Sequence, residues 1–378
     1  MTMPSPGAAA VTAQRCAAQL LSGPPARSPF EVVHRLLAVQ GQDPRGARLA
    51  IRARSAGLNA ADVDRALTDD RSLLITWLNR GTLHLIGCDD YWWLHPLTAP
   101  RMRTGIARRL AQEGVLPGQA EKAAAVIASS LAEEGPLTRH ELGERIARVG
   151  IRTQGQALVH LLAHASVAGI AVRGPMVRSG RGMAAEHAFV GVRDWLGPAP
   201  ASRTFDHDAA LAELARRYLA GHGPASERDL AQWSGLPLRD ARRGLSAIAA
   251  TLRERDDDLA ELARARQLAG ESAGLAELTD GRPGELPPPR LLGPFDPVLH
   301  GWMSREPILG QHKSIITVNG LFRPFAMVRA RAAGTWKIAA GQVELDLFAP
   351  LPEPAAAALR ADGADVVRYL GLDATASS

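Results

Sequence analysis

Two primary amides, Gln40 and Gln42, flank a single glycine in the run Leu37-Ala38-Val39-Gln40-Gly41-Gln42-Asp43-Pro44-Arg45. Two residues apart in an extended turn, both side chains can face one pocket. Each amide carries an acceptor oxygen and two donor hydrogens, so the pair could hold a water or a polar ligand, although neither is a strong base. The alternative is that these amides cap helix ends. Other candidates are thinner. His160 and His164 have the one-turn spacing of a metal pair, but no HExxH glutamate or third ligand accompanies them, which favours a helix-surface role. The glycines around Gly180 and Gly182 lack the lysine and Ser/Thr of a phosphate-cradling loop. Lys313, beside His312, keeps a Schiff-base amine open. Trp77, Tyr91, Trp92 and Trp93 fall in strand and helix patterns and are read as core, with base stacking as the alternative. No metal and no cofactor is expected.

The elements that must position these residues are mostly helices. Pro29 to Val39 carries apolar residues at helical spacing. Asp43 and Pro44 read as an N-cap and first helical residue opening a helix to Arg54. Asn59 can cap another, running through Leu67. Ser72 to Leu78 and Thr82 to Ile86 read as two strands joined at Asn79-Arg80-Gly81. A helix over Gly118 to Glu133 leads to Gly135-Pro136-Leu137-Thr138, where Thr138 and Glu141 form a capping box. Helices Arg139 to Arg148 and Gln154 to Val167 follow, then strands Ile170 to Arg173 and His187 to Val192 around a loop holding Arg178 and Arg181. The pattern returns 88 residues later at Gly223-Pro224, with Ser226 and Asp229 as the box and Leu230 matching Leu142. Strands are expected at Ser314 to Val318, Pro324 to Val328, Gly334 to Ile338 and Val343 to Phe348, and a last helix at Pro354 to Tyr369.

Helices closed by a small hairpin spell a winged helix. The fold class expected is mainly α with small β wings (α+β): three tandem winged-helix units, the third elaborated with a small β-sheet. Their expected spans are 1–100, 101–200 and 201–378, and Asp280 to Pro289 reads as a linker or loop in the third. Such units fit an α-helix into the major groove of a nucleic-acid duplex, with wing arginines on phosphates. Arg173, Arg178 and Arg181 are the expected phosphate contacts; as the alternative, they are solvated loop charges.

Composition fits. The 378 residues carry 44 Lys+Arg against 39 Asp+Glu, a formal charge of +5, and only Lys122, Lys313 and Lys337 are lysines. Arginine is the planar, bidentate phosphate ligand, although a GC-rich genome also inflates it. The two cysteines, Cys16 and Cys88, cannot build a disulfide framework or a thiolate metal site. With no signal-like start and no long apolar run, a cytoplasmic protein without membrane contact is expected.

Leu37 to Arg45, Trp77-Leu78-Asn79-Arg80-Gly81-Thr82-Leu83-His84, Phe295-Asp296-Pro297 with Gly301-Trp302, and Gly334-Thr335-Trp336, in this order, resemble the winged-helix DNA glycosylases that remove bulky alkylated bases and unhook interstrand crosslinks. Members of that family carry Gln-x-Gln or Gln-x-Asp as a catalytic pair, which maps onto Gln40 and Gln42. The middle position is usually apolar there and is Gly41 here, which loosens the backbone. The resemblance implies a monofunctional hydrolase acting on damaged double-stranded DNA as a monomer, nucleoid-associated when bound. Arg45, Arg48, His312 and Lys313 join the wing arginines as expected DNA contacts. A ring-alkylated purine is already cationic and leaves without strong acid catalysis, so two amides that orient water and stabilise an oxocarbenium-like transition state suffice. The rival reading is a non-catalytic winged-helix DNA binder such as a transcription regulator. It needs no glutamine pair and would prefer one duplex sequence over damage.

Overall fold

A computed structural model describes residues 6–177, 186–201, 206–263 and 285–372. The chain divides into two compact units: Met1–Val63 with Leu211–Ser378, and Asp64–Ala210. The described residues mix helices with antiparallel sheet. None of their helices is long and apolar enough to cross a membrane.

The first unit begins with α1 (Pro6–Ala18), α2 (Pro29–Leu36), the two-residue strand β1 (Val39–Gln40) and α3 (Pro44–Arg52). Ser28 caps α2 by accepting from the Glu31 N–H at 3.2 Å, with Pro29 in the first turn. The helix stops at Leu36, short of the expected Val39. Leu37 takes a φ of 62°, and the Ala38 N–H donates to the Leu36 carbonyl at 2.7 Å. A left-handed leucine costs backbone energy. The complete burial of Leu37 and Val39 offsets that cost by fixing the chain's exit toward β1.

The second unit, which begins within α4 (Ala60–Thr68), continues with β2 (Leu73–Leu78), β3 (Thr82–Gly87), α5 (Tyr91–Thr98), α6 (Arg103–Gln112), α7 (Pro117–Glu134), α8 (Arg139–Arg148), α9 (Ala157–Val167), β4 (Ala171–Val177), β5 (Glu186–Gly191) and α10 (Val192–Leu196). Strands β2 and β3 pair from Leu73 opposite Gly87 to Leu78 opposite Thr82. Their turn uses left-handed Asn79 (φ 53°) and Gly81 (φ 90°). Strand β4 joins β2 at Ile75 opposite Arg173 and pairs along β5, giving the order β3-β2-β4-β5. Trp77, Tyr91 and Trp93 are buried core residues, and Trp92 is half-buried. The Thr138 capping box forms, with both the hydroxyl and the backbone N–H engaged by Glu141.

The first unit resumes with α11 (His207–His222), α12 (Glu227–Ser234) and α13 (Leu238–Ala247), whose Ser226 box with Asp229 also forms. Next come β6 (Arg290–Leu292), α14 (Glu306–Leu309), β7 (Phe325–Val328), β8 (Arg331–Ala339), β9 (Gln342–Leu347) and α15 (Glu353–Tyr369). The sheet is antiparallel in the order β6-β7-β8-β9. Leu49 of α3, Leu291, Ala326, Trp336, and Leu359 and Val366 of α15 share one core, so α3 is clamped to the C-terminal sheet and helix. The strand expected over Ser314–Val318 is instead a 3-10 turn, Lys313–Ile315, and a tight loop in which Ile316 pairs with Phe322. Thr317 closes that loop by donating its N–H to, and accepting from, Leu321, and Gly320 supplies the left-handed turn position, so no ladder can form there. The first half of the expected 280–289 linker, and the wing loop with Arg178 and Arg181, lie outside the described residues.

Candidate active site

The site grows from the two ends of α3. At its start, extended β1 presents Gln40, half-buried, and the chain passes through buried Gly41 to exposed Gln42. The amides meet: Gln40 Nε2 donates to Gln42 Oε1 at 3.0 Å. Gly41 adopts no left-handed φ, so the turn does not depend on glycine's conformational freedom. Gln40 Oε1 is shut from solvent and has no hydrogen-bond partner among the described residues. A buried acceptor left unpaired costs about 1–3 kcal/mol. Two amide hydrogens on Gln42 complete a surface that both accepts and donates, and no titratable group takes part in it.

Asp43 then caps α3, its Oδ1 accepting from the Gly46 N–H at 2.8 Å, with Pro44 at the first helical position. Gly46 is required here, because a β-carbon would collide with the Pro294 carbonyl oxygen. Gly293 is equally tight, its missing β-carbon falling 2.8 Å from that of Leu49. The Gly293–Pro294 turn therefore lies directly on α3.

At the other end, Arg52 and Arg54 are buried, with their terminal nitrogens engaged and their Nε atoms left without a hydrogen-bond partner among the described residues. Arg52 Nη2 donates to Asp362 Oδ2 at 2.9 Å and to the Leu291 carbonyl at 2.7 Å, and Nη1 reaches Asp362 and Asp365 at 3.0 and 3.1 Å. Arg54 grips Asp296 with both Nη atoms, at 2.9 and 2.7 Å, with neither side chain exposed. Gln19 accepts from Arg54 at 2.9 Å and donates to the Pro297 carbonyl at 3.3 Å. Under this network His222 is fully buried, and burial depresses it to about 3, so it is neutral. Asp296 thus serves to hold α3. Its role was not readable from residue type, since nothing in the sequence says which of many arginines it meets.

The other expected site residues scatter. Arg45 is exposed on the first turn of α3, and Arg48, half-buried, donates to the Pro44 carbonyl at 2.9 Å. His312 stacks on Phe348 with ring centroids 3.9 Å apart, and Lys313 is exposed beside it. Arg173 lies between the rings of Trp77 and Phe189, 5.4 and 5.0 Å from their centroids, and burial lowers it to about 10. Its guanidinium therefore faces aromatic rings within the sheet. His164 sits 3.2 Å from Glu121, and burial lowers His160.

Comparisons with known proteins agree with one another. An interstrand DNA cross-link repair glycosylase of Streptomyces sahachiroi is 26% identical over 379 residues, covering 96% of each chain. The solved structure of the Streptomyces sahachiroi DNA glycosylase AlkZ shares the fold, with a TM-score of 0.73 at 24% identity over 96% of both chains. The family model described as DNA glycosylase AlkZ-like matches residues 33–369, which include Gln40, Gln42, all of α3 and Asp296. The chain belongs to the AlkZ-like DNA glycosylase family.

Proposed function

We propose that the chain is a monofunctional DNA glycosylase that hydrolyses the N-glycosidic bond of ring-alkylated, cationic purines in duplex DNA, including those tied into interstrand crosslinks. The observation that carries this reading is the Gln40–Gln42 amide pair with its unpartnered buried oxygen. A water donating to Gln40 Oε1 would have its lone pair turned toward the sugar carbon. The C1′–N bond breaks with its electrons passing to the cationic base, which leaves neutral. The water oxygen bonds C1′, and its proton passes to solvent. Because the departing base carries its own positive charge, fixed dipoles suffice and no strong general acid is needed. The substrate preference follows: activated cationic lesions turn over and uracil does not.

Three winged-helix units, over 1–100, 101–200 and 201–378, would deliver the duplex. Two features support this. Leu137 pairs with Phe189 of β5, and Ala225 pairs with Ala260. Each directly follows a Gly-Pro pair, so a β-bridge stands at the same place after the first helix in both repeats. Arg45, Arg48, Arg178, Arg181, His312 and Lys313 are the proposed DNA contacts, the protein acting as a cytoplasmic monomer that joins the nucleoid on binding. The test is incubation with duplex DNA bearing a guanine methylated at its ring nitrogen, beside a uracil-containing duplex. Release of free methylguanine without strand cleavage, and none of uracil, is expected. Uracil release, or no base from either an alkylated or a crosslinked duplex, would reject the proposal.

A further inference from the structure

From Tyr91 to Gln112 the chain carries Arg101, Arg103, Arg108 and Arg109 and no acidic residue. The last part of this stretch is a 3-10 turn, Ala99–Met102, running straight into α6, which buries Leu110 and packs on α9. All four arginines are exposed. Arg109 donates to Gln112 at 3.2 Å; Arg101, Arg103 and Arg108 make no hydrogen bond or ion pair among the described residues. Other exposed arginines are neutralised locally, as in Arg242 with Glu227, Arg253 with Glu261 and Arg360 with Glu353, whereas three unpaired ones lie together here.

This arrangement works against the helix that bears it. Arg101 and Arg103 sit at the positive end of the α6 dipole, where the first turn offers no acid and a cation is disfavoured. Like charges along one helix repel. Between the arginines, Thr104 is exposed, and a β-carbon on Gly105 would meet nothing within 4 Å, so a bulky chain can come close. The feature fits an external polyanion. Guanidinium forks match phosphate oxygens two at a time.

We infer that the exposed face of Ala99–Gln112 is a DNA-backbone contact, gripping duplex phosphates whether or not a lesion is present. It rests on the reading of DNA as the partner and adds a surface the wing arginines do not include. The experiment measures the salt dependence of binding to undamaged duplex for wild type, for Arg101→Ala/Arg103→Ala/Arg108→Ala, and for Arg242→Ala/Arg253→Ala/Arg360→Ala, which removes equal charge elsewhere. Each phosphate contact contributes about 0.9 to the slope of log K against log salt. The α6 triple variant is expected to lose about 2 to 3 units of slope, and the control triple none, with melting temperatures confirming that both fold. Equal slopes for wild type and the α6 variant, an equal loss in the control, or no salt-dependent duplex binding by wild type would overturn the inference. A wild type that binds duplex in this way yet releases no base would defeat the glycosylase reading and leave this surface standing.

Discussion

The two ends of α3 are built in opposite ways. At the C-terminal end, Arg52 and Arg54 have their terminal nitrogens engaged by Asp362, Asp365, Asp296, Gln19 and two carbonyls, out of reach of water. At the N-terminal end, two neutral amides bond to each other, and among the described residues one oxygen is left over. Nine helical residues separate anchored charge from unsatisfied dipole. A catalytic group needs a rigid support and a free valence, and here one short helix carries the support at one end and the free valence at the other. The Phe295-Asp296-Pro297 motif then belongs to the support, and in the proposed function Gln40-Gly41-Gln42 would carry the chemistry.

That division can be broken at the anchored end first. Asp296→Ala leaves the Arg54 guanidinium buried without a counter-charge, and is expected to lower the unfolding free energy by about 3–5 kcal/mol in a denaturant titration. A loss below about 1 kcal/mol would show that Arg54 finds water or another acceptor and that the anchor is not structural. Acid probes the same end. There His222 is held neutral, with its folded value near 3 against an ordinary 6.5; in the second unit His84 and His95 are depressed by burial to about 4. The unfolded chain therefore takes up these protons first. Their stabilisation is complete above about pH 6.5 and falls away as the pH drops toward the folded values. At pH 5, His222 alone accounts for a loss of about 2 kcal/mol, which His222→Gln should remove from the pH dependence. Base release per folded molecule, depending on uncharged amides, should stay flat from pH 6 to 8; a bell-shaped profile in that window would mean that a titrating group does the chemistry.

Smaller effects belong to the amide end. Asp43→Ala removes the N-cap and should cost about 1 kcal/mol of stability, with a larger loss of base release because the turn between Gln42 and α3 is then unpinned. Equal losses in both would contradict a positioning role for Asp43. Gln42→Ala, at an exposed position, should change stability by less than about 0.5 kcal/mol.

Local signals were legible in the sequence. The Asp43-Pro44 start of α3 and the Thr138 and Ser226 boxes lie where side-chain chemistry three residues apart dictates them. Signals that depend on distant partners were not. The periodicity of Pro29–Val39 continues past Leu36, but burial of Leu37 in a left-handed conformation ends the helix. Strand β6 is three residues long beside a proline run and exists because Asp362, far along the chain, takes its Leu291 N–H at 2.7 Å. Arg173 looked like a wing cation; its place between Trp77 and Phe189 depends on strand pairing that no local pattern reveals. For the amides, spacing alone left both capping and chemistry open. Their mutual bond at 3.0 Å and the orphaned oxygen are features of the folded turn.

The paired-amide chemistry is tested most directly by single-turnover release of alkylguanine from duplex DNA by Gln40→Ala and Gln42→Ala, with unfolding curves measured on the same preparations. A fall of about 100-fold or more in each variant, with the unfolding free energy within about 0.5 kcal/mol of wild type for Gln42→Ala, is the expected result. Release at the wild-type rate by both folded variants would contradict it and return the amides to the role of helix caps.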